Sequence, residues 1–123
     1  VKKRLVIEND DRNYCAQDCL TIAQKCHIPV LFDVFHHIIN NNDESVLEMI
    51  DQIKTTWDLN DGIPMLDYSS QQVDERTGKH TDHIDIDDFN QFLKETSSVD
   101  FDVMLEIKDK EKSALKAVKL IGK

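Results

Sequence analysis

The sequence predicts an α/β protein, TIM-barrel-like, with four consecutive βα units forming about half of a (β/α)8 barrel. Four short apolar runs recur along the 123 residues, each followed by a helical pattern. None of them alternates polar with apolar residues, as expected of parallel strands covered on both faces. No glycine-rich dinucleotide fingerprint is present, which favours barrel geometry over a doubly wound sheet.

The first strand is read at residues 4–8 (RLVIE) and the first helix at 14–26, where Cys15, Cys19, Leu20, Ile22, Ala23 and Cys26 supply the apolar stripe. Asn and Asp residues ahead of that helix suit its N-cap, and His27-Ile28-Pro29 ends it. The second strand is 30–33 (VLFD). The second helix, 45–56, sets Val46, Leu47, Met49, Ile50 and Ile53 on one side, with Asp43 or Ser45 as cap and Trp57 directly after it. The third strand is 65–68 (MLDY). Residues 69–83 (SSQQVDERTGKHTDH) are polar, contain Gly78 and have no apolar period. They read as a long loop, a class usually functional or mobile. The third helix, 87–95, follows a cap at Asp85 and turns Ile86, Phe89, Phe92 and Leu93 inward; a fourth strand at 101–106 and a fourth helix at 108–121 complete the pattern.

With 40% apolar and 32% charged residues, the chain suits one globular domain over residues 1–123. A whole barrel needs about 250 residues, and the chain opens on a strand without an initiator Met. The expectation is half of a barrel within a longer protein, which exposes apolar strand edges and the inner face and so favours self-association. No apolar run approaches the roughly 18 residues that span a bilayer, and VKKRLVIEND lacks a secretory apolar region. A soluble, cytoplasmic protein with no membrane partner is therefore expected. The three cysteines read as reduced packing residues, because no His or Cys follows Cys15 and Cys19 at zinc-site spacing. A net charge of −9 argues against wrapping nucleic acid by general electrostatics. Bound divalent cations reverse that local sign wherever the acids converge on them.

The strand ends carry the strongest internal signal. Each strand finishes in a carboxylate: Glu8 after LVI, Asp33 after VLF, Asp67 after ML and Glu106 after VML. In a barrel the C-terminal strand ends form one rim, so four residues distant in sequence converge on one site. Helix capping accounts for one or two strand-end acids, not for all four. Converging carboxylates repel one another and stay partly protonated unless a cation joins them. His36, three residues past Asp33, and His80, in the long loop, complete a carboxylate and imidazole set suited to Mn2+, Fe2+ or Zn2+. His37 and His83 compete for those places, since spacing does not rank neighbouring histidines. His36 and His80 are preferred, and His27, at the opposite end of the units, is read as structural.

The strings RLVIEND, IPVLFDVFHH, DYSSQ, GKHTDHIDIDDF and FDVMLEIKDKE resemble those of UV damage endonucleases, over nearly the whole chain and in the order of the second half of that family's barrel domain. The resemblance implies an ATP-independent DNA-repair endonuclease that nicks duplex DNA immediately 5′ of a UV photoproduct by metal-assisted phosphodiester hydrolysis, with UV-damaged DNA as partner and Mn2+ as the favoured divalent cofactor. It places Glu8, Asp33, His36, His80 and Glu106 at metal-ligand positions, with Asp67 offered as a sixth and Glu8, Asp33 and Glu106 also named as catalytic. The family often carries a Lys and a His on the third strand; here Met65 and Asp67 stand there, and Met65 offers no hard ligand. Lys79, Lys108 and Lys110, near the rim, and Ser69 and Ser70 are candidate phosphate contacts, against the bland reading of solvated lysines and loop-capping serines. The lesion-probing residues would lie in the other half, so this chain alone is expected to be inactive.

Two other readings fit the rim less specifically. A xylose-isomerase-like sugar isomerase also gathers Glu, Asp and His around divalent ions, and fold analogy does not separate it from a nuclease. A non-catalytic half-barrel interaction module would use the strand-end acids only as helix caps, with Met65 as its best supporting feature.

Overall fold

The computed structural model describes residues 4–122; residues 1–3 and 123 of the expected domain lie outside the described residues. Four strands, β1 (Ile7–Glu8), β2 (Val30–Asp33), β3 (Met65–Tyr68) and β4 (Asp102–Leu105), form one sheet in the order β1-β2-β3-β4. All three pairings are parallel, with Glu8 opposite Leu31, Asp33 opposite Asp67, and Asp67 opposite Met104. The expected α/β, TIM-barrel-like architecture of sequential βα units is therefore present.

Helices α1 (Ala16–Cys26), α2 (Val34–Ile39), α3 (Val46–Ile53), α4 (Ile86–Glu95) and α5 (Glu111–Ile121) follow the strands. The core lies between them and one face of the sheet, where Val30, Phe32 and Leu66 are fully buried and Tyr68 nearly so. Tyr68 stacks at a tilt on Phe89 and Phe92 of α4, with ring centroids 4.9 and 5.0 Å away. Burying each such ring contributes about 1.5–3 kcal/mol, and this cluster docks α4 on β3.

Side chains alternate across a strand, so Glu8, Leu31, Asp33, Asp67, Met104 and Glu106 share the opposite face. That face is partly open, as expected of half a barrel though not from the continuous apolar runs alone: along β4, Asp102 and Met104 are exposed while Val103 and Leu105 are only half-buried. The apolar runs instead serve a core on one side and a concave, partly open surface on the other.

Local chemistry moves several boundaries. Helix α1 starts at a Cys15 cap, not at an Asn or Asp, because Asp18 reaches back to accept the Cys15 N–H at 3.0 Å. Asp10 instead gathers the N–H groups of Arg12, Asn13 and Tyr14 at 2.7, 2.5 and 3.1 Å, an Asx turn ahead of the helix. Ser45 and Glu48 close a reciprocal capping box on α3, which gives way to a 3-10 turn at Lys54–Thr56. Helix α5 begins at Glu111 and not at residue 108, since Lys110 has a left-handed φ of 47°. The short α2 has no counterpart in the sequence reading. Among the described residues no helix is long and apolar enough to cross a membrane.

Candidate metal centre

The four strand-end carboxylates meet at the C-terminal rim of the sheet. Ligand atoms of Glu8, Asp33 and His36 lie within 4.8 Å of one another, and so do those of Asp33, Asp67 and Glu106. Asp33 belongs to both groups, which makes it the hinge of the cluster. It does two things at once: Oδ1 accepts the His36 N–H at 2.8 Å and caps α2, while Oδ2 lies 3.0 Å from His36 Nδ1. The capping explanation for a strand-end acid holds at Asp33 without removing it from the cluster.

The backbone sets this geometry. The β1–β2 ladder stops at Glu8, and Asn9, 1% exposed, takes over with its side chain. Asn9 Nδ2 donates to the Asp33 carbonyl at 3.0 Å and Asn9 Oδ1 accepts the Asp33 N–H at 2.9 Å. Leaving either buried main-chain group unpaired costs about 1–3 kcal/mol. The Asn9 carbonyl lies 2.9 Å from His36 Nδ1. With the Asn9 carbonyl and the Asp33 and Glu8 carboxylates all around it, Nδ1 is placed to donate a proton to them in the metal-free chain, which leaves the lone pair on Nε2.

His80 arrives from the other side. Its Nδ1 lies 3.1 Å from the Glu106 carbonyl and 3.8 Å from a Glu106 carboxylate oxygen, and its ring is 6.1 Å from that of His36. The loop that carries it is tied into a hairpin by the Gln71–His80 bridge. The Gln71 amide donates to the carbonyls of Gln72, Glu75 and Arg76 and accepts the Gly78 N–H. Gln72 Oε1 accepts the Asp82 N–H at 2.8 Å. Neither glutamine is visible as functional in the sequence, whose polarity there signals only a loop.

The electrostatics are those of acids crowded together. Burial first, then Asp33 and Glu106, push the Glu8 carboxyl up to about 7 from an ordinary 4.5. Burial, Glu106 and Glu8 raise Asp67 to about 6 from 3.8, and burial above all raises Asp33. At His36 burial pulls the imidazole down, but the Asn9 carbonyl and the Asp33 and Glu8 carboxylates outweigh it and the net shift is upward. Asp67 Oδ1 is buried with no hydrogen-bond partner. An orphaned carboxylate oxygen facing two further acids, beside an imidazole with a free lone pair, fits a divalent cation of the Mn2+ class.

The remaining candidates fall elsewhere. His37 is buried against Phe32 with Nε2 2.9 Å from the Glu44 carbonyl, and His83 pairs with Asp109 at 2.9 Å; neither joins the cluster. Lys79 pairs with Glu75 at 3.0 Å and Lys108 with Asp82 at 3.5 Å. Both border an open groove with Arg76, His80, Glu106 and Lys110. Ser70 is half-buried, and its carbonyl accepts the Thr81 N–H at 2.9 Å. Ser69 is 2% exposed, and its hydroxyl is buried with no hydrogen-bond partner. Met65 is half-buried on β3 and adds no ligand. The cysteines are free, Cys15 and Cys19 buried as packing residues and Cys26 exposed.

Residues 1–122 match the family described as UV-endonuclease UvdE. The chain is 40% identical over 119 residues to a UV DNA damage endonuclease of Clostridium perfringens, covering 95% of this chain and 29% of that protein. It is 33% identical over 120 residues to one of Bacillus mycoides, covering 96% and 38%. The crystal structure of SacUVDE superposes with a TM-score of 0.90 at 47% identity, over 98% of this chain and 40% of that one. The chain thus spans less than half the length of these relatives.

Proposed function

From the premise that the chain belongs to the UV-endonuclease UvdE family, we propose that it is the C-terminal half of a metal-dependent barrel that nicks duplex DNA immediately 5′ of UV photoproducts. The observation that carries this reading is the convergence of Glu8, Asp33, His36, Asp67 and Glu106 at one rim, with a buried Asp67 oxygen left unpartnered. The partner is UV-damaged double-stranded DNA, the cofactor is divalent metal with Mn2+ preferred, and the setting is cytoplasmic. The rest of the barrel lies in the longer protein, and this chain alone is inactive.

Glu8, Asp33 and His36 would hold one cation and Asp33, Asp67 and Glu106 a second, with His80 beside Glu106. Such ions lower the pKa of a water and stabilise the attacking and leaving oxygens of an in-line phosphodiester displacement. The chain's own contribution is placement and sign. Asp33 ties the two groups together, and His36 is held beside them with Nδ1 3.0 Å from the Asp33 carboxylate and 3.7 Å from that of Glu8. Lys79, Lys108 and Lys110 line the groove next to Glu106, where exchange of the carboxylate partners of Lys79 and Lys108 for phosphate costs little, because surface ion pairs are worth about 0–1 kcal/mol. Ser69 and Ser70 are the loop's further phosphate contacts, the Ser69 hydroxyl being buried with no partner of its own.

Glu8→Gln and Glu106→Gln in the full-length protein should each abolish Mn2+-dependent nicking of UV-irradiated supercoiled plasmid while leaving the circular-dichroism spectrum intact. Full activity in both variants would refute the assignment. Asp67→Asn should reduce nicking to a similar degree if its orphaned oxygen binds metal, and much less if the residue only caps the following loop. The isolated chain should self-associate through the β4 edge, where Met104, Val118 and Ile121 border an apolar cleft. Sedimentation at micromolar concentration showing only a compact monomer would overturn that part.

A further inference from the structure

One buried polar side chain at the rim has no place among the ligands. The Asn9 carboxamide pairs with both main-chain groups of one residue, donating to the Asp33 carbonyl at 3.0 Å and accepting the Asp33 N–H at 2.9 Å. These two bonds fall just beyond the last main-chain pair of the β1–β2 ladder, Glu8 opposite Leu31. A third contact, from the Asn9 carbonyl to His36 Nδ1 at 2.9 Å, reaches helix α2. Asn9 is also covalently next to Glu8, so it touches all three members of the mixed carboxylate and imidazole group.

We propose that Asn9 is the positioning residue of this centre: its carboxamide stands in for one more pair of the β1–β2 ladder and fixes Glu8, Asp33 and His36 as one unit. The chemistry explains why an amide is needed. The task requires one donor and one acceptor on the same side chain. An ionised Asp has only acceptors and would set a charge against the Asp33 carbonyl. Ala would leave a buried N–H and a buried C=O unpaired, and the strand end would shift to satisfy them. Gln has the right groups one methylene too far out. Once the Asn9 main chain moves, its carbonyl no longer holds the proton on His36 Nδ1, and the Nε2 lone pair is lost for part of the population.

The consequence for metal rests on the proposed function, so the test has a metal-free arm. In the 15N-labelled metal-free chain, at a pH where His36 is neutral, the imidazole should be the Nδ1–H tautomer in the parent and a mixture of tautomers in Asn9→Ala and Asn9→Asp. In a Mn2+ titration followed by electron paramagnetic resonance, both variants should bind roughly 10–100-fold more weakly, the loss typical of partners that orient a ligand. Folded variants that keep the parent tautomer and the parent affinity would overturn the proposal. A parent chain that binds no Mn2+ would sink the metal reading, and the tautomer would still decide the role of Asn9. Should neither variant fold, hydrogen exchange in the metal-free parent decides: the Asp33 amide, whose acceptor is Asn9 Oδ1, should exchange as slowly as the amides within β2, and fast exchange there would overturn the proposal.

Discussion

On the β1–β2 side of the rim each functional group is held by main chain or by an immediate neighbour, whereas on the β3–β4 side one imidazole arrives on a loop of its own. Asn9 and Asp33 are both 1% exposed and exchange two hydrogen bonds, and His36 sits in the first turn of the helix that Asp33 caps. Across the rim, Asp67 is equally buried at 3% exposure and the Glu106 side chain, 38% exposed, matches the 39% of Glu8, but His80 depends on a hairpin braced by Gln71 and Gln72. The difference teaches where rigidity resides. A group fixed by buried bonds between adjacent strand ends keeps its geometry before any ligand arrives, while a group on a surface loop is placed by bonds that water competes for.

The largest expected effect that tests this contrast is at Asp33. Asp33→Ala removes the carboxylate common to both groups and the cap of α2. It should abolish Mn2+ binding by isothermal titration calorimetry and cost about 1 kcal/mol through the cap alone. His36→Ala should weaken binding more than His80→Ala; equal losses would break the comparison.

The next effect is a pH dependence of unusual sign. Glu8 at about 7 against 4.5 and Asp67 at about 6 against 3.8 both hold their protons longer in the folded state. The stability they contribute is complete below their ordinary values and is lost as pH rises toward 7. His36, raised above 6.5, adds the same sign. Asp10, held below 3.8 chiefly by the Arg12 N–H, acts the opposite way only at lower pH. The metal-free chain should therefore melt at a higher temperature near about pH 5 than near about pH 8. Mn2+ should shrink that gap by binding the folded state, and Glu8→Gln should narrow it, leaving the part that Asp67 and His36 contribute. A melting temperature that rises steadily over this interval would count against the crowded-acid picture.

The smallest effect concerns the loop. Gly78 has φ +93°, and a Cβ there would meet Asp11 Oδ2 at 2.8 Å. Gly78→Ala should cost about 1 kcal/mol from the backbone alone, read by thermal melting. It should disturb the His80 resonances while leaving those of His36 in place, and changes of equal size at both would erase the distinction between the two sides.

The fold was legible because apolar runs ending in an acid recur four times, and parallel strands bring equivalent ends together. The carboxylate half of the cluster follows from that regularity alone. What escaped is what depends on side chains replacing main chain. Helix α2 is six residues long, too short for an apolar period to emerge from VFHHII, and its cap doubles as the end of β2. Asn9 reads in sequence as one polar residue among several after a strand, and only the place where the β1 ladder stops reveals its task. The one available signal was an Asn directly after a strand-end acid. Burial of one sheet face and openness of the other could not be read from runs such as DVML, since exposed Met104 is as apolar as half-buried Val103.

At the other end of β2 the chain's single tryptophan completes the strand's first residue: Trp57 Nε1 donates to the Val30 carbonyl at 2.8 Å, and Thr56 accepts the Val30 N–H at 3.0 Å. Three residues of strand, about 10 Å, separate that indole from Asp33. Its fluorescence is thus a built-in optical probe of whether β2 is folded. Being remote from the rim, it should stay nearly silent when a cation binds to an already folded chain, so emission and metal titrations report two separate equilibria from one unmodified sample.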